Sequence, residues 1–191
     1  MCIRDRLNIC EQLTRHVFKQ VENIELPDPF PRMTFSGAMS NYGTDHPDLR
    51  YNMKLKDMKS FSDKSDFNAF ISADTVVGIV VLNGNKYSRK VIDDLTEYVK
   101  RYKAKGLAWM KVEKGKLISG IAKFFNDDLQ QDMESELGVK DGDIIFIIGD
   151  TKKIAQTALG ALRCEIARRE NLANSGAVSY THLTLPTILL V

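Results

Sequence analysis

The sequence predicts an α+β fold in which helices cover a mostly antiparallel sheet. Two apolar, β-branched runs, residues 75–82 and 143–148, are typical of strands that are buried on both faces. Two segments between them carry apolar residues at helical spacing, and Lys114-Gly115 marks a hairpin turn. No glycine fingerprint follows any strand, so a parallel sheet that binds a dinucleotide is not supported.

The composition is that of an ordinary soluble globular protein. The chain has 191 residues, 43% of them apolar, and a net charge of +2. This length predicts one domain, or one small domain with pieces of another. The weak net charge gives no argument for nucleic acid, so a local basic cluster must be sought.

Cysteine, histidine and apolar runs point to an intracellular protein without a metal site. Three cysteines, far apart and outside any C-x-x-C pair, predict neither a disulfide framework nor a zinc site. The three histidines show no metal-ligand spacing. No run approaches the roughly 18 apolar residues of a membrane span. Arg4, Asp5 and Arg6 stand where a signal peptide would need an apolar core, so export is not indicated. We therefore expect a cytoplasmic protein that does not cross a membrane.

The two ends, residues 1–6 and 173–191, differ from the rest of the chain. The segment after Leu172 has no acidic or basic side chain and ends in the apolar, β-prone LTLPTILLV. Both ends are similar to translated sequencing-adapter read-through, so we expect them to be non-native and the chain to be an internal piece of a longer protein. The alternative is a genuine edge strand or a partner-binding tail.

Residues 7–43 predict two helices separated by prolines. The first, over 7–22, has an apolar stripe of Leu7, Cys10, Leu13, Val17 and Val21. His16 lies beside that stripe with no catalytic partner nearby, so we expect a packing helix. After the prolines, Thr34 suits the N-cap of a short helix over 35–42, and Gly43 suits its C-terminal stop.

Residues 44–50, TDHPDLR, allow two interpretations. Two Asp, one His and one Arg within seven residues could hold a charged ligand. The same residues are typical of turn caps, since Asp, Thr and Pro all favour turns. The residues alone favour the structural interpretation.

Residues 67–170 predict an alternation of strands and helices. We expect strands over 67–71, 75–82, 107–112, 116–119 and 143–148, and helices over 88–102, 121–137 and 151–170. The last helix carries its apolar stripe on Ile154, Ala155, Ala158, Leu159, Leu162 and Ile166. Cys164 in this helix is predicted to be a buried, inert thiol.

One segment brings a specific resemblance. FPRMTFSGAMSNYGTDHPDLR is similar to the segment after class II motif 2 in bacterial-type aspartyl-tRNA synthetases, usually FPRMTY-x-EAM-x-x-YG(S/T)DKPDLR. Gly37 stands where the family usually has Glu, and His46 where it usually has Lys. Both departures put the contribution of those positions to substrate handling in doubt.

A second block resembles the GAD insertion domain of the same family. YKAKGLAWMKV, SGIAKFFN and KDGDIIFIIGD carry that resemblance, and GALRCEIARRENL resembles the return to the catalytic domain. The resemblance implies a partial catalytic segment over 7–58, a GAD-like insertion domain over 59–150 and a return helix over 151–172. The matching segments occur in the order and spacing of the family. Our first hypothesis is therefore an internal fragment of such a synthetase.

The resemblance implies ATP-dependent attachment of aspartate to tRNA through aspartyl-adenylate, with ATP and Mg²⁺ as cofactors of the full-length family. The sequence contains neither an F-R-x-E motif nor a G-x-G-x-x-R motif, which hold the phosphates in class II synthetases. We therefore assign no catalytic, cofactor-binding or metal residue, and expect this fragment alone to bind no cofactor and to be inactive. The resemblance further implies tRNA and a second synthetase copy as partners, with no DNA and no membrane.

The one candidate tRNA contact is the cluster of Lys100, Arg101, Lys103 and Lys105. Clustered cations suit RNA phosphates, but they also suit a solvated helix end balanced by neighbouring carboxylates. The nearby Tyr98, Tyr102 and Trp109 are more typical of a core than of a base-stacking platform.

An alternative function is a stand-alone GAD-type module that binds tRNA or protein, as in a tRNA-dependent amidotransferase subunit. The block GTDHPDLR separates the two hypotheses, because it belongs to the synthetase side of the resemblance.

Overall fold

The structure, a computed structural model, describes residues 3–173 and 182–184 and has two compact units. The first unit holds residues 1–35 and 178–191, and the second holds residues 36–177. Most of the two ends predicted to be non-native lies outside the described residues. Their origin and the predicted domain boundaries stay predictions.

The chain forms seven α-helices and seven strands within the described residues. The helices are α1 (Ile3–Val21), α2 (Phe35–Tyr42), α3 (Lys59–Ser62), α4 (Asn68–Ile71), α5 (Arg89–Lys100), α6 (Asp127–Leu137) and α7 (Lys152–Arg169). The strands are β1 (Arg32–Thr34), β2 (Lys56–Asp57), β3 (Thr75–Val81), β4 (Ala108–Glu113), β5 (Lys116–Ile118), β6 (Ile144–Asp150) and β7 (His182–Thr184). The long predicted helices and the two buried strands are confirmed within a few residues at each end.

The first unit consists of α1 and the parallel pair of β1 and β7. Glu11 is buried, and its carboxylate accepts hydrogen bonds from the amide of Phe30 (3.4 Å) and the guanidinium of Arg32 (3.3 Å). The stripe predicted to be apolar and packed is mostly exposed in this unit, including Leu13 at 62% and Val21 at 72%. The helix therefore packs through its polar side and leaves its apolar side open.

The second unit is built on a five-stranded sheet in the order β2-β3-β6-β4-β5, with every pair antiparallel. The central pair, β3 and β6, runs from Thr75 opposite Asp150 to Val81 opposite Ile144. The predicted mostly antiparallel sheet is thus confirmed.

Each face of the sheet supports a separate hydrophobic core, which explains why β3 and β6 have no polar alternation. One core joins Ile79 and Phe146 to the apolar stripes of α5 and α7. The other joins Val76 and Ile147 to α3, α4, α6 and the 3-10 turn Ala122–Phe124. The sheet with helices on both faces is the α+β arrangement that the sequence predicts.

The predicted strand over 67–71 is wrong, because this segment forms the single turn α4. Phe67 and Phe70 pack edge to face with ring centroids 4.8 Å apart. That contact joins residues three apart, which a helical turn brings together and a strand separates. A run of five residues is too short for its apolar spacing to distinguish a strand from a helix.

The predicted helix over 121–137 is shorter than expected, because its first turn is separate. Residues 122–124 form a 3-10 turn, and α6 begins at Asp127. Asn126 sets that boundary, since its side-chain oxygen accepts a hydrogen bond from the amide of Leu129 (2.8 Å). An N-cap of this kind starts a new helix even where the apolar spacing continues.

Loop 43–53, which joins α2 to the sheet, lies directly on α7. Gly43 ends α2 with φ at +69°, and a Cβ atom added there would lie 2.0 Å from the carbonyl oxygen of Gln156. Gly160 on α7 meets the backbone of Tyr42 and Gly43 in the same way. Glycines at both positions therefore allow two backbones to touch.

Replacing Gly43 by Ala is expected to reduce the free energy of unfolding by about 2 to 5 kcal/mol, from left-handed backbone strain and overpacking together. Gly115 is the matched control, since its φ is +67° and nothing lies within 4 Å of an added Cβ. Gly115→Ala should lose only the backbone part, about 1 to 2 kcal/mol. Urea unfolding measures both variants, and equal losses would contradict the close approach.

Candidate functional site

Arg163 on α7 fixes loop 43–53 and is fully buried, with 0% of its surface exposed. Its Nε donates to the carbonyl oxygen of Met53 (2.6 Å). Its Nη2 donates to the carbonyl oxygens of Asp48 (2.6 Å) and Tyr51 (3.2 Å). One guanidinium thus satisfies three carbonyl groups of an irregular segment.

Two tyrosine rings complete the surroundings of this guanidinium. The centroids of the Tyr51 and Tyr42 rings lie 4.1 and 4.9 Å from Cζ of Arg163. Its Nη1 donates to the hydroxyl of Tyr51 (3.1 Å). Desolvated cation–π contacts of this kind contribute about 2 kcal/mol each. Carbonyl dipoles and aromatic faces together compensate the buried charge.

The polar residues of the loop bond mainly to one another, as the turn interpretation predicts. Asp48 accepts hydrogen bonds from the backbone amide of Arg50 (3.0 Å) and from its guanidinium (2.7 Å). These hydrogen bonds from Arg50 are the main cause of the lowered pKa of Asp48. Thr44 and His46 share a side-chain hydrogen bond of 2.6 Å. The charged side chains therefore serve mainly to fix the conformation of the loop.

A cavity of about 320 Å³ opens between loop 43–53 and the last turns of α7. Its walls include Asp48, Arg50, Tyr51, Cys164, Arg168 and Asn171. The volume suits a small ligand or one nucleotide unit. Within the described part of the chain, loop 43–53 and α7 both place polar groups on the wall of this cavity.

Cys164 is exposed, so the prediction of a buried thiol is wrong. Leu162, Arg163 and Ile166 occupy the inner side of α7, and Cys164 falls on its outer side. The hydroxyl of Tyr51 donates to its sulfur at 3.7 Å.

The four predicted tRNA-contact residues lie together at the C-terminal end of α5. All four are exposed. Lys100 pairs with Glu97 (2.6 Å), as the solvated-helix interpretation predicts. Arg101 lies over the ring of Tyr98 at 5.9 Å. Lys103 and Lys105 make no ion pair within the described residues, and RNA contact by the cluster stays a prediction.

The aromatic residues near this cluster divide between core and surface. Tyr98 and Trp109 pack against the first core, as expected. Tyr102 is 38% exposed, with its ring centroid 5.5 Å from that of Tyr98. Burial is the main cause that raises the pKa of Tyr98 to about 12.

Sequence analysis did not identify Arg163 or Arg168 as site residues. Arg163 could have been found, because it falls among the buried positions of the α7 stripe, where a cation needs partners. Arg168 has no comparable signal, since it follows the pattern of an exposed helix end.

Neither a metal cluster nor a membrane span is found among the described residues. No group of three or more His, Cys, Asp or Glu there could hold a metal ion. No helix in that part of the chain is long and apolar enough to cross a membrane.

Comparison with known proteins identifies the class of domain. Residues 67–159 match the family of the GAD domain. This range contains β3 to β6 and the beginning of α7. The central part of the five-stranded sheet, with the helices between its strands, is therefore similar to the GAD domain.

The similarity extends beyond residues 67–159 to nearly the whole of this chain. The chain is 40% identical over 181 residues to an aspartate–tRNA ligase from Halalkalibacterium halodurans, covering 92% of this chain and 30% of the relative. It is 42% identical over 185 residues to an aspartate–tRNA(Asp/Asn) ligase from Desulfatibacillum aliphaticivorans, covering 94% and 31%. The ligase from Geobacillus kaustophilus is 38% identical over 186 residues, covering 95% and 32%.

The chain is thus related, over most of its length, to bacterial aspartate–tRNA ligases, of which it spans about 30%. A solved structure of a hypothetical protein from Pyrococcus horikoshii covers 51% of this chain and 52% of that one at 20% identity and a TM-score of 0.33. That likeness is too low to support an argument.

Replacing Arg163 by Met is expected to lower the free energy of unfolding by at least about 3 kcal/mol, because buried carbonyls lose their donors. Arg168→Met is the matched control, since the Arg168 side chain is 74% exposed. It should change stability by less than about 1 kcal/mol. Urea unfolding gives both values, and hydrogen exchange at residues 51–53 should rise only for Arg163→Met. Equal behaviour of the two variants would refute the role of Arg163.

Glu165 on α7 and Glu170 directly after it are expected to make stability depend on acid pH. Hydrogen bonds from Arg168 lower the pKa of Glu165, and those from Lys86 lower that of Glu170. A lowered folded pKa contributes stability above the unfolded value, near 4.5, and this is lost as pH falls through the folded pKa. Each pair is partly exposed and should contribute about 1 kcal/mol or less.

Thermal unfolding between pH 7 and pH 3 tests this dependence. Glu165→Gln and Glu170→Gln should each be less stable than the parent at pH 7 and approach it at pH 3. A difference that stays constant across this range would exclude the ionic contribution.

Proposed function

We propose that this chain is the GAD-carrying segment of an aspartate–tRNA ligase. The observation that carries the proposal is the extent of the similarity, which covers 181 residues where the GAD domain covers residues 67–159. It therefore includes loop 43–53 before the domain and most of α7 after it. A stand-alone GAD module would need neither loop 43–53 nor the part of α7 that follows the domain.

The contacts of Arg163 support the same proposal. The segment before the domain and the helix after it are joined by hydrogen bonds to Asp48, Tyr51 and Met53. A domain inserted into a larger host needs its two connections side by side, because they leave and return to one place. The exposed apolar side chains of α1 suit burial against further protein of such a host.

The whole protein would attach aspartate to tRNA through aspartyl-adenylate, using ATP and Mg²⁺. Its partners would be tRNA and a second copy of the enzyme, in the cytoplasm. The arginines that hold phosphates in class II synthetases lie in motifs that this sequence does not contain. Since phosphate charge in these reactions is stabilised by arginines and metal ions, the 191 residues alone would lack the reacting site.

The purified 191-residue chain is expected to show no aspartate-dependent exchange of pyrophosphate into ATP. The physical reason is the missing phosphate-binding arginines. The positive control is a chain extended by the flanking reading frame, which should exchange. Exchange by the 191-residue chain itself would refute the proposal that the reacting site lies outside these 191 residues.

Genomic DNA on both sides of this reading frame provides an independent test. The proposal expects the frame to continue, with an F-R-x-E motif upstream and a G-x-G-x-x-R motif downstream. Native start and stop codons at both ends would instead favour a stand-alone module.

A further inference from the structure

Loop 43–53, α7 and the C-terminal end of α5 carry three tyrosines and three arginines that are exposed or partly exposed. This tyrosine–arginine strip consists of Arg50, Tyr51, Tyr98, Arg101, Tyr102 and Arg168. Arg50, Tyr51 and Arg168 line the cavity between loop 43–53 and α7. Tyr98 and Tyr102 continue the strip on and just after α5, which packs against α7.

Contacts through α7 connect the two halves of the strip. The hydroxyl of Tyr51 donates to the sulfur of Cys164. Tyr51 and Tyr98 both pack at the edge of the first hydrophobic core, where α5 and α7 meet.

The rings leave aromatic surface available at both ends. Tyr51 has Arg163 over one face, and its ring also lines the cavity. Tyr102 is 38% exposed, and its hydroxyl shares a 3.3 Å hydrogen bond with that of Tyr98, which holds the pair in place. Fixed, partly exposed rings bind planar groups at low entropic cost.

The charge around the strip is positive. Asp48 offsets Arg50, and Glu165 is shared by Arg168 and Arg169. Arg101 and Lys103, on either side of Tyr102 in the chain, make no ion pair within the described residues and add positive charge beside its ring. Unpaired cations beside exposed rings match the alternating phosphates and bases of a single strand.

We propose that the tyrosine–arginine strip binds unpaired nucleotides of RNA. One base stacks in the cavity against Tyr51, another stacks on Tyr102, and the phosphates between them contact Arg168, Arg101 and Lys103. The choice of RNA over DNA rests on the proposed function, whereas the stacking and charge arguments do not. A paired duplex fits poorly, because its base faces are already stacked inside the helix.

The test measures binding of the 191-residue chain to fluorescent oligonucleotides at low salt. The probes are a single-stranded 12-nucleotide RNA, an RNA hairpin with the same number of phosphates, and the single strand made of DNA. The single-stranded RNA should bind at least about five-fold more tightly than the hairpin, the lower end of the contribution of one stacked base.

Four variants separate stacking from charge. Tyr102→Ala should weaken single-strand binding by about five-fold or more, while Tyr102→Phe keeps the ring and should stay within about two-fold. Arg101→Gln should reduce the salt dependence by about 0.7 of a logarithmic unit, the value for one phosphate contact. Lys90→Gln, at the opposite end of α5, is the matched charge control and should leave affinity and salt dependence unchanged. Circular dichroism checks that each variant is folded.

Each outcome decides the proposal. No binding at low salt, equal binding of hairpin and single strand, or equal loss in Tyr102→Ala and Tyr102→Phe would overturn it. Equal binding of DNA and RNA would retain the stacking strip and remove its preference for RNA. None of these results bears on the flanking reading frame, so failure of the strip and failure of the ligase proposal are distinguishable.

Discussion

The buried guanidinium of Arg163 is the constraint on which the second unit depends. Loop 43–53 has irregular backbone, and its carbonyls at Asp48, Tyr51 and Met53 need donors once α7 covers them. A guanidinium supplies several donors in one rigid plane, which an ammonium group cannot do. Helix and loop are therefore held together by a buried polar contact.

This contact works only because the two backbones are already close. Gly43 and Gly160 permit the approach, and α7 is held against the sheet by its own apolar stripe. The same helix thus packs against the sheet on one side and against the loop on the other.

Most of the fold could be predicted, because its long elements have strong hydrophobic patterns. Helices α5 and α7 carry apolar stripes at helical spacing, and strands β3 and β6 carry continuous apolar runs. Few other structures would bury these residues. The single turn α4 differs from the predicted strand, since five residues contain little more than one helical period and do not distinguish the two patterns. The site was harder, because the position of Arg163 in the α7 stripe indicates a cation that needs partners, but only the fold shows which carbonyls it meets.

The segment that reaches the sheet and the helix that leaves it lie side by side. The polypeptide reaches the sheet through Met53 and Leu55 and leaves it through α7, where Arg163 bonds back to Met53 at 2.6 Å. Compact units whose entering and leaving segments lie close together tolerate insertion into other chains. This pair of connections therefore suits attachment to further protein through one small area of the surface.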